Sequence, residues 1–172
     1  MSRKQVETRF WEVKNASPDV GEVFIYGTIT QDKWDDTDVT AKDFADELKA
    51  LNDIKTLNVY INSPGGSFFV SQAIYSMLQR HPAKKNVYID GLAASGASMV
   101  AMAGDAVFMP QNAMMMIHNP YDWVIGNANE LRQAADALDK LQQAMLPVYL
   151  GHANGRLSED ELISLLDAET WM

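Results

Sequence analysis

Apolar and polar positions alternate with two different periods along this chain, and the change of period marks the elements. The run Val23-Phe24-Ile25-Tyr26, closed by Gly27, predicts a strand within a first segment of about Gln5 to Ile29. An acidic stretch, Asp32 to Asp38, predicts a loop. A helix should begin near Thr40, a suitable cap, with Phe44, Leu48 and Leu51 following at helical spacing. Strand and helix then alternate. Leu57 to Asn62 predicts a buried strand closed by a Ser63-Pro64-Gly65-Gly66 turn, and Val70, Ile74, Met77 and Leu78 mark one face of the next helix. His81-Pro82 ends that helix, and Val87-Tyr88-Ile89 opens another strand. Gly91 to Gly104 predicts a short turn into a helix of small residues, followed by strands at Ala106 to Met109 and Met114 to Ile117. Strands separated by helices of this length favour parallel pairing through right-handed crossovers, so the pattern predicts an α/β fold.

The last third reads as helical. Asn127 with Glu130 has capping-box spacing, and Leu131, Ala134, Leu138, Leu141 and Met145 form a stripe. Pro147 is expected to disturb the end of this long helix. Ser158 and Glu161 repeat the capping-box spacing before Leu162, Ile163 and Leu166. The chain stops on Trp171-Met172 with no polar tail, so the natural protein is expected to continue further.

Composition narrows the class. The 172 residues fit a single domain, 1–172, able to bury about 70% of its unfolded surface. A net charge of −9 argues against nucleic acid or an anionic membrane as the main partner, since both are bound through Lys and Arg. With no cysteine there is no disulfide, thiolate metal site or cysteine nucleophile, which suits a reducing cytoplasm. Met1 to Val13 is charged and lacks the apolar core of a secretory signal, and Gly91 to Gly104 is too short and too rich in small residues to span a bilayer. No internal repeat, metal-binding spacing, Walker loop or G-x-G-x-x-G after a strand occurs, so no metal or other cofactor is expected. Trp11, Trp34, Trp123 and Trp171 do not cluster with basic residues as a nucleic-acid surface requires.

Two glycine-containing turns follow neighbouring strands, where open α/β sheets collect functional groups. In Ser63-Pro64-Gly65-Gly66 the glycines let the backbone approach a ligand, although an ordinary strand-to-helix turn explains them as well. In Gly91-Leu92-Ala93-Ala94-Ser95-Gly96-Ala97-Ser98, Ser95 stands at a strand-to-helix turn among tiny residues. The outline is that of a nucleophile elbow without its G-x-S-x-G pattern. Close helix packing with capping serines accounts for the same residues, and Ser98, one turn deeper, is expected to face a packing surface. A serine nucleophile needs a base. His81, beside Arg80 and Pro82, is expected to face water, as is His152 at another helix end. His118 ends an apolar strand and precedes Asn119-Pro120, where a base or a buried structural histidine would sit equally well.

Taken in order, Tyr60-Ile61-Asn62-Ser63-Pro64-Gly65-Gly66, Gly91-Leu92-Ala93-Ala94-Ser95, Ala103-Gly104 and Met116-Ile117-His118-Asn119-Pro120 resemble the proteolytic subunit of the Clp protease, ClpP, from about Val23 to the end. The resemblance implies the ClpP/crotonase-like fold of repeated strand-strand-helix units. It makes Ser95 the nucleophile and His118 the base. The family's third triad member is an aspartate followed two residues later by an aromatic and then an aliphatic residue. That register falls on Glu169, with Asp167 as the alternative. Gly66 and Gly96 would supply the oxyanion-hole amides, Gly96 standing where housekeeping members carry methionine. About Tyr121 to Ile125 would pair with an extended peptide. The helix from Asn127 would be the long handle that joins two rings face to face.

The resemblance further implies heptameric rings stacked in pairs, a closed chamber, and an AAA+ unfoldase that uses the ATP. The run Gly96-Ala97-Ser98-Met99 and the ending Glu169-Thr170-Trp171-Met172 look like the phage and prophage branch, whose members are head maturation proteases. The alternatives are a housekeeping-type proteolytic core, a crotonase-like acyl-CoA enzyme, and a non-catalytic ring component.

Overall fold

Side chains on three successive strands alternate between buried and half-buried in the computed structural model, which describes residues 13–31, 40–51 and 53–172. The N-terminal segment to residue 12, the acidic loop of Asp32 to Asp38, Trp11 and Trp34 lie outside the described residues. The chain forms two compact units, Met1–Met115 and Met116–Met172.

The first unit carries β1 (Val13–Ser17), β2 (Val20–Ile29), α1 (Ala41–Leu48) with a 3-10 turn at Lys49–Leu51, and β3 (Thr56–Gly66). It continues through α2 (Phe68–Arg80), β4 (Lys84–Ala94), α3 (Gly96–Ala101) and β5 (Ala106–Phe108). β1 pairs antiparallel with β2, whereas β2, β3, β4 and β5 pair in parallel in that order, with a helix in each crossover. The residues in register explain the pairing. Val23, Val59 and Val87 share one rung and Ile25, Ile61 and Ile89 the next, all buried. Each such side chain contributes about 1.5–3 kcal/mol on leaving water. Phe44 and Leu48 of α1 and Val70, Ile74 and Leu78 of α2 complete this core.

The opposite face carries an aromatic row. Phe24, Tyr60, Tyr88 and Phe108 lie in register and stack with ring centroids 4.7, 5.2 and 4.9 Å apart. The Tyr26 hydroxyl donates to Asp90 at 2.5 Å, and burial, reinforced by that carboxylate, pushes the phenol up to about 12.

The second unit contains α4 (Ala128–Ala153), α5 (Glu159–Asp167) and β7 (Thr170–Trp171), and β6 (Met114–Ile117) spans the boundary between the units. β6 and β7 are antiparallel, with Met116 opposite Trp171 and Ile117 opposite Thr170. Both capping boxes form: Asn127 accepts from the Glu130 N–H, and Ser158 from the Glu161 N–H, with each glutamate reaching back. No helix among the described residues is long and apolar enough to cross a membrane.

Three local expectations are corrected. Ser63-Pro64-Gly65-Gly66 is not a turn closing the strand at Asn62; β3 runs on through Gly66, held by pairing to Thr28 and Ile29. The disturbance expected of Pro147 does not interrupt α4, which continues through it to Ala153 with Met145, Leu146, Val148 and Tyr149 buried around it. His81 does not face water; it is 6% exposed. Its Nε2 lies 3.2 Å from the Leu51 carbonyl, while Nδ1 accepts from the Ala83 N–H at 3.2 Å. Nε2 is therefore the protonated nitrogen of a neutral ring.

Burial holds the His81 pKa below the ordinary 6.5, the nearby Lys85 adds to the depression, and the Leu51 bond opposes it. The unfolded chain accordingly binds a proton near that value that the folded chain refuses. The contribution to stability is complete above it and disappears as pH falls towards the folded-state value. The melting temperature should fall between about pH 7 and pH 5, and His81→Gln should make that fall shallower. Parallel slopes in thermal melts of both proteins would exclude His81 as the cause.

Candidate active site

β3 and β4 end side by side, with Ser63 opposite Ala93, so that Gly65-Gly66 and Ser95-Gly96 emerge next to each other. Ser95 caps α3 with φ 53 and ψ −126, a left-handed backbone at a strand-to-helix junction and strained for a residue with a Cβ. It is partly exposed, while every residue of α3 behind it is buried. Ser98 is one of these: fully buried, it donates to the Ser95 carbonyl at 2.6 Å, as expected of a packing-face serine.

Glycine is required at this junction by contact. A Cβ on Gly65, whose φ is +89, would stand 2.4 Å from the Ala94 carbonyl oxygen and 2.8 Å from both the Gly96 nitrogen and the Ser95 Cβ. A Cβ on Gly96 would meet the Ser71 Oγ at 2.1 Å. The backbones of the two strand ends thus touch directly, and Gly66 continues the ladder opposite Ile29. A backbone N–H is the kind of donor that a developing oxyanion needs, and glycine lets the backbone come close enough to offer one.

The second unit, taken by itself, carries an imidazole and a carboxylate near its own strand pair. β6 and β7 pair through Ile117 and Thr170, and the next positions along that register are His118 and Glu169. Glu169 has φ 48 just beyond the end of α5, where glycine or asparagine is the usual residue, and its N–H donates to the Leu166 carbonyl at 3.2 Å. His118 is half-buried. Desolvation lowers its pKa and the Glu169 charge partly restores it, so the ring stays neutral near pH 7 and able to accept a proton. Its ring centroid lies 5.5 Å from that of Tyr121.

Asp167, the alternative carboxylate, is turned to another task. It accepts from Asn119 Nδ2 at 2.7 Å, and Asn119 Oδ1 in turn accepts from Gln142 Nε2 at 2.7 Å. This bridge ties the segment after His118 to α5 and α4. Asn119 and Gln142 carry no motif of their own, and Ser63 has the look of a turn residue; the prolines that follow Asn119 and Ser63 are the one sequence signal that the backbone there needs support from side chains. His152 sits in the last turn of α4, at a helix end as expected, and is half-buried. No group of three His, Asp or Glu that could hold a metal ion occurs among the described residues.

Comparison with known proteins gives two findings. The sequence model of the family described as Clp protease matches residues 10–172. Among solved structures, the fold is similar to that of a ClpP1 mutant from Listeria monocytogenes, with a TM-score of 0.73 and 22% identity over 88% of this chain and 81% of that one. The α/β architecture is therefore of the ClpP type.

The strain at Ser95 is measurable. A left-handed non-glycine backbone costs about 1–3 kcal/mol, more than the roughly 0.5–1 kcal/mol of extra chain entropy that glycine loses on folding. Ser95→Gly should raise the unfolding free energy by about 1 kcal/mol in urea titrations. A fall instead would show that the serine sits there without strain.

Proposed function

Because the chain belongs to the Clp protease family and is a serine-type peptidase, we propose that it cleaves peptide bonds with Ser95 as nucleophile, His118 as general base and Glu169 as the carboxylate that orients His118. The observation that carries this reading is the strained Ser95 at the end of β4, in backbone contact with Gly65. Ser95 Oγ attacks the peptide carbonyl carbon while His118 takes the hydroxyl proton. The tetrahedral intermediate collapses, His118 returns the proton to the leaving amine, and an acyl-enzyme remains. Water, deprotonated by the same imidazole, then releases the acid and restores Ser95. Glu169 favours the tautomer and charge that His118 needs. The Gly66 and Gly96 N–H groups stabilise the oxyanion, each worth about 3 kcal/mol to the transition state.

The substrate in this reading is an extended peptide lying along Tyr121 to Ile125. Tyr121, Trp123 and Ile125, at alternate positions, are 81%, 87% and 88% exposed. Leu131 at the start of α4 is also exposed, and Leu138 and Leu141 are only half-covered. An apolar stripe left open this way supports assembly into a homo-oligomeric ring, heptameric and stacked in pairs as in the family. The cytoplasmic setting, the head maturation role and a possible AAA+ partner belong to the same proposal and rest on the sequence motifs. The family match favours the peptidase over an acyl-CoA enzyme.

Ser95→Ala should abolish both peptide hydrolysis and fluorophosphonate labelling, while Ser98→Ala keeps most of each; full labelling of the Ser95→Ala protein would refute the assignment. Glu169→Gln removes the charge that raises the His118 pKa. The acid limb of kcat/KM should then move to lower pH while kcat falls by about a hundredfold or more. Asp167→Asn should leave that limb in place, and a pH–rate profile in which Asp167→Asn moves it and Glu169→Gln does not would exchange the two roles.

A further inference from the structure

Ser63 is one of the few polar side chains that are fully buried in the first unit, and the active-site reading above gives it no part. It stands where both flanking ladders lose register. Towards β2, Tyr26 pairs with Asn62 and Thr28 with Gly65, so that Gly27 alone spans Ser63 and Pro64. Towards β4, Ile61 pairs with Ile89 but Ser63 with Ala93, so that Asn62 spans three residues. Pro64 has no N–H to give. Regular pairing therefore cannot fix the strand at this point.

The Ser63 hydroxyl bridges the gap. It donates to the Gly27 carbonyl at 2.5 Å and accepts from the Gly65 N–H at 3.1 Å. One side chain thus ties Gly27 of β2, across the bulge in β3, to Gly65, the residue that has no room for a Cβ against Ala94, Ser95 and Gly96. Gly65 is in turn the immediate neighbour of the Gly66 amide. A shift of a few tenths of an ångström at Gly65 would pass straight into the separation of the Gly66 and Gly96 donors, because nothing lies between the two backbones to absorb it.

We propose that Ser63 is a positioning residue for peptide hydrolysis, holding Gly65-Gly66 against the Ser95-Gly96 junction so that both amides converge on the oxyanion. This rests on the assignment of Ser95 and of the two amides made above. Ser63 touches no substrate. It acts through Gly65, so its loss should weaken transition-state binding and leave ground-state binding unchanged.

The test uses the intact protein and a fluorogenic peptide that the unsubstituted enzyme cleaves. Ser63→Ala should lower kcat by about tenfold, a fraction of the 10²–10³ that follows loss of a whole oxyanion donor. KM should stay within about twofold, and affinity for a peptide aldehyde, which forms a tetrahedral adduct on the nucleophile, should fall in proportion to kcat. Should Ser63→Ala fail to fold by circular dichroism, Ser63→Cys carries the test, being nearly the same size but a weak donor. An unchanged kcat in a folded variant overturns the proposal. So does a rise in KM that accounts for the whole loss, which marks a purely structural role. Absence of fluorophosphonate labelling at Ser95 in the unsubstituted protein overturns the catalytic assignment itself, and the proposal with it.

Discussion

The candidate site depends on one constraint, the direct backbone contact between the end of β3 and the junction of β4 with α3. A side chain at Gly65 would lie inside the van der Waals radius of three atoms of Ala94, Ser95 and Gly96, and one at Gly96 would overlap the Ser71 hydroxyl. Removing both Cβ atoms lets two parallel strand ends approach more closely than a regular sheet allows. The approach brings the backbone of Gly65 against that of Ala94, Ser95 and Gly96. The rungs of Val23, Val59, Val87 and Ile25, Ile61, Ile89 behind it fix the strands rigidly enough for that approach to be held. Packing energy in the core and chemical capacity at the strand ends are linked through register: a one-residue slip of β3 would turn its buried face to solvent and carry Gly65 away from Ser95.

A second register does similar work in the other unit. The antiparallel pairing of β6 with β7 ends at Ile117 and Thr170, and His118 and Glu169 are the residues next to that pair, near enough for the Glu169 charge to act on the imidazole. The neighbouring Asn119 is fixed by Asp167 and Gln142, which leaves Asp167 occupied and Glu169 as the carboxylate whose charge His118 feels. A glutamate reaches one methylene further than an aspartate. From a left-handed backbone just past a helix end, that extra reach can be used without moving the helix.

How far the sequence revealed this depends on how local each interaction is. The core positions of β2, β3 and β4, the stripe of α2 and both capping boxes were legible because period and spacing within about four residues determine them. Ser95, His118, Gly66 and Gly96 were singled out by motif. His81 was misread because Arg80 and Pro82 describe only the helix end, whereas the Leu51 carbonyl that buries its ring lies thirty positions away. Ser63-Pro64-Gly65-Gly66 has the composition of a turn, and only pairing with Thr28 and Ile29 makes it strand. Pro147 illustrates the same limit: its intrinsic penalty is local, but four buried neighbours hold the helix together across it.

Backbone strain adds an argument that does not depend on motif. Three non-glycine residues among those described have positive φ: Ser95, Asn154 and Glu169. Asn154 ends α4, and asparagine tolerates the left-handed region well, so capping explains it completely. Glu169 follows the C-cap of α5, where a left-handed backbone is ordinary but glycine or asparagine is the usual residue, and Ser95 takes the N-cap of α3 with no side-chain hydrogen bond to the helix. Glycine would take the backbone of Ser95 or Glu169 at little steric cost, and the folded chain instead carries about 1–3 kcal/mol of strain at each. A side chain held against that gradient must contribute something that the backbone conformation alone does not. At Ser95 the contribution is the hydroxyl that the proposed chemistry uses, and at Glu169 it is a negative charge acting on His118. The two helix-end positions at which the fold carries a strained residue where glycine would fit are thus the ones at which the proposed chemistry requires a side chain.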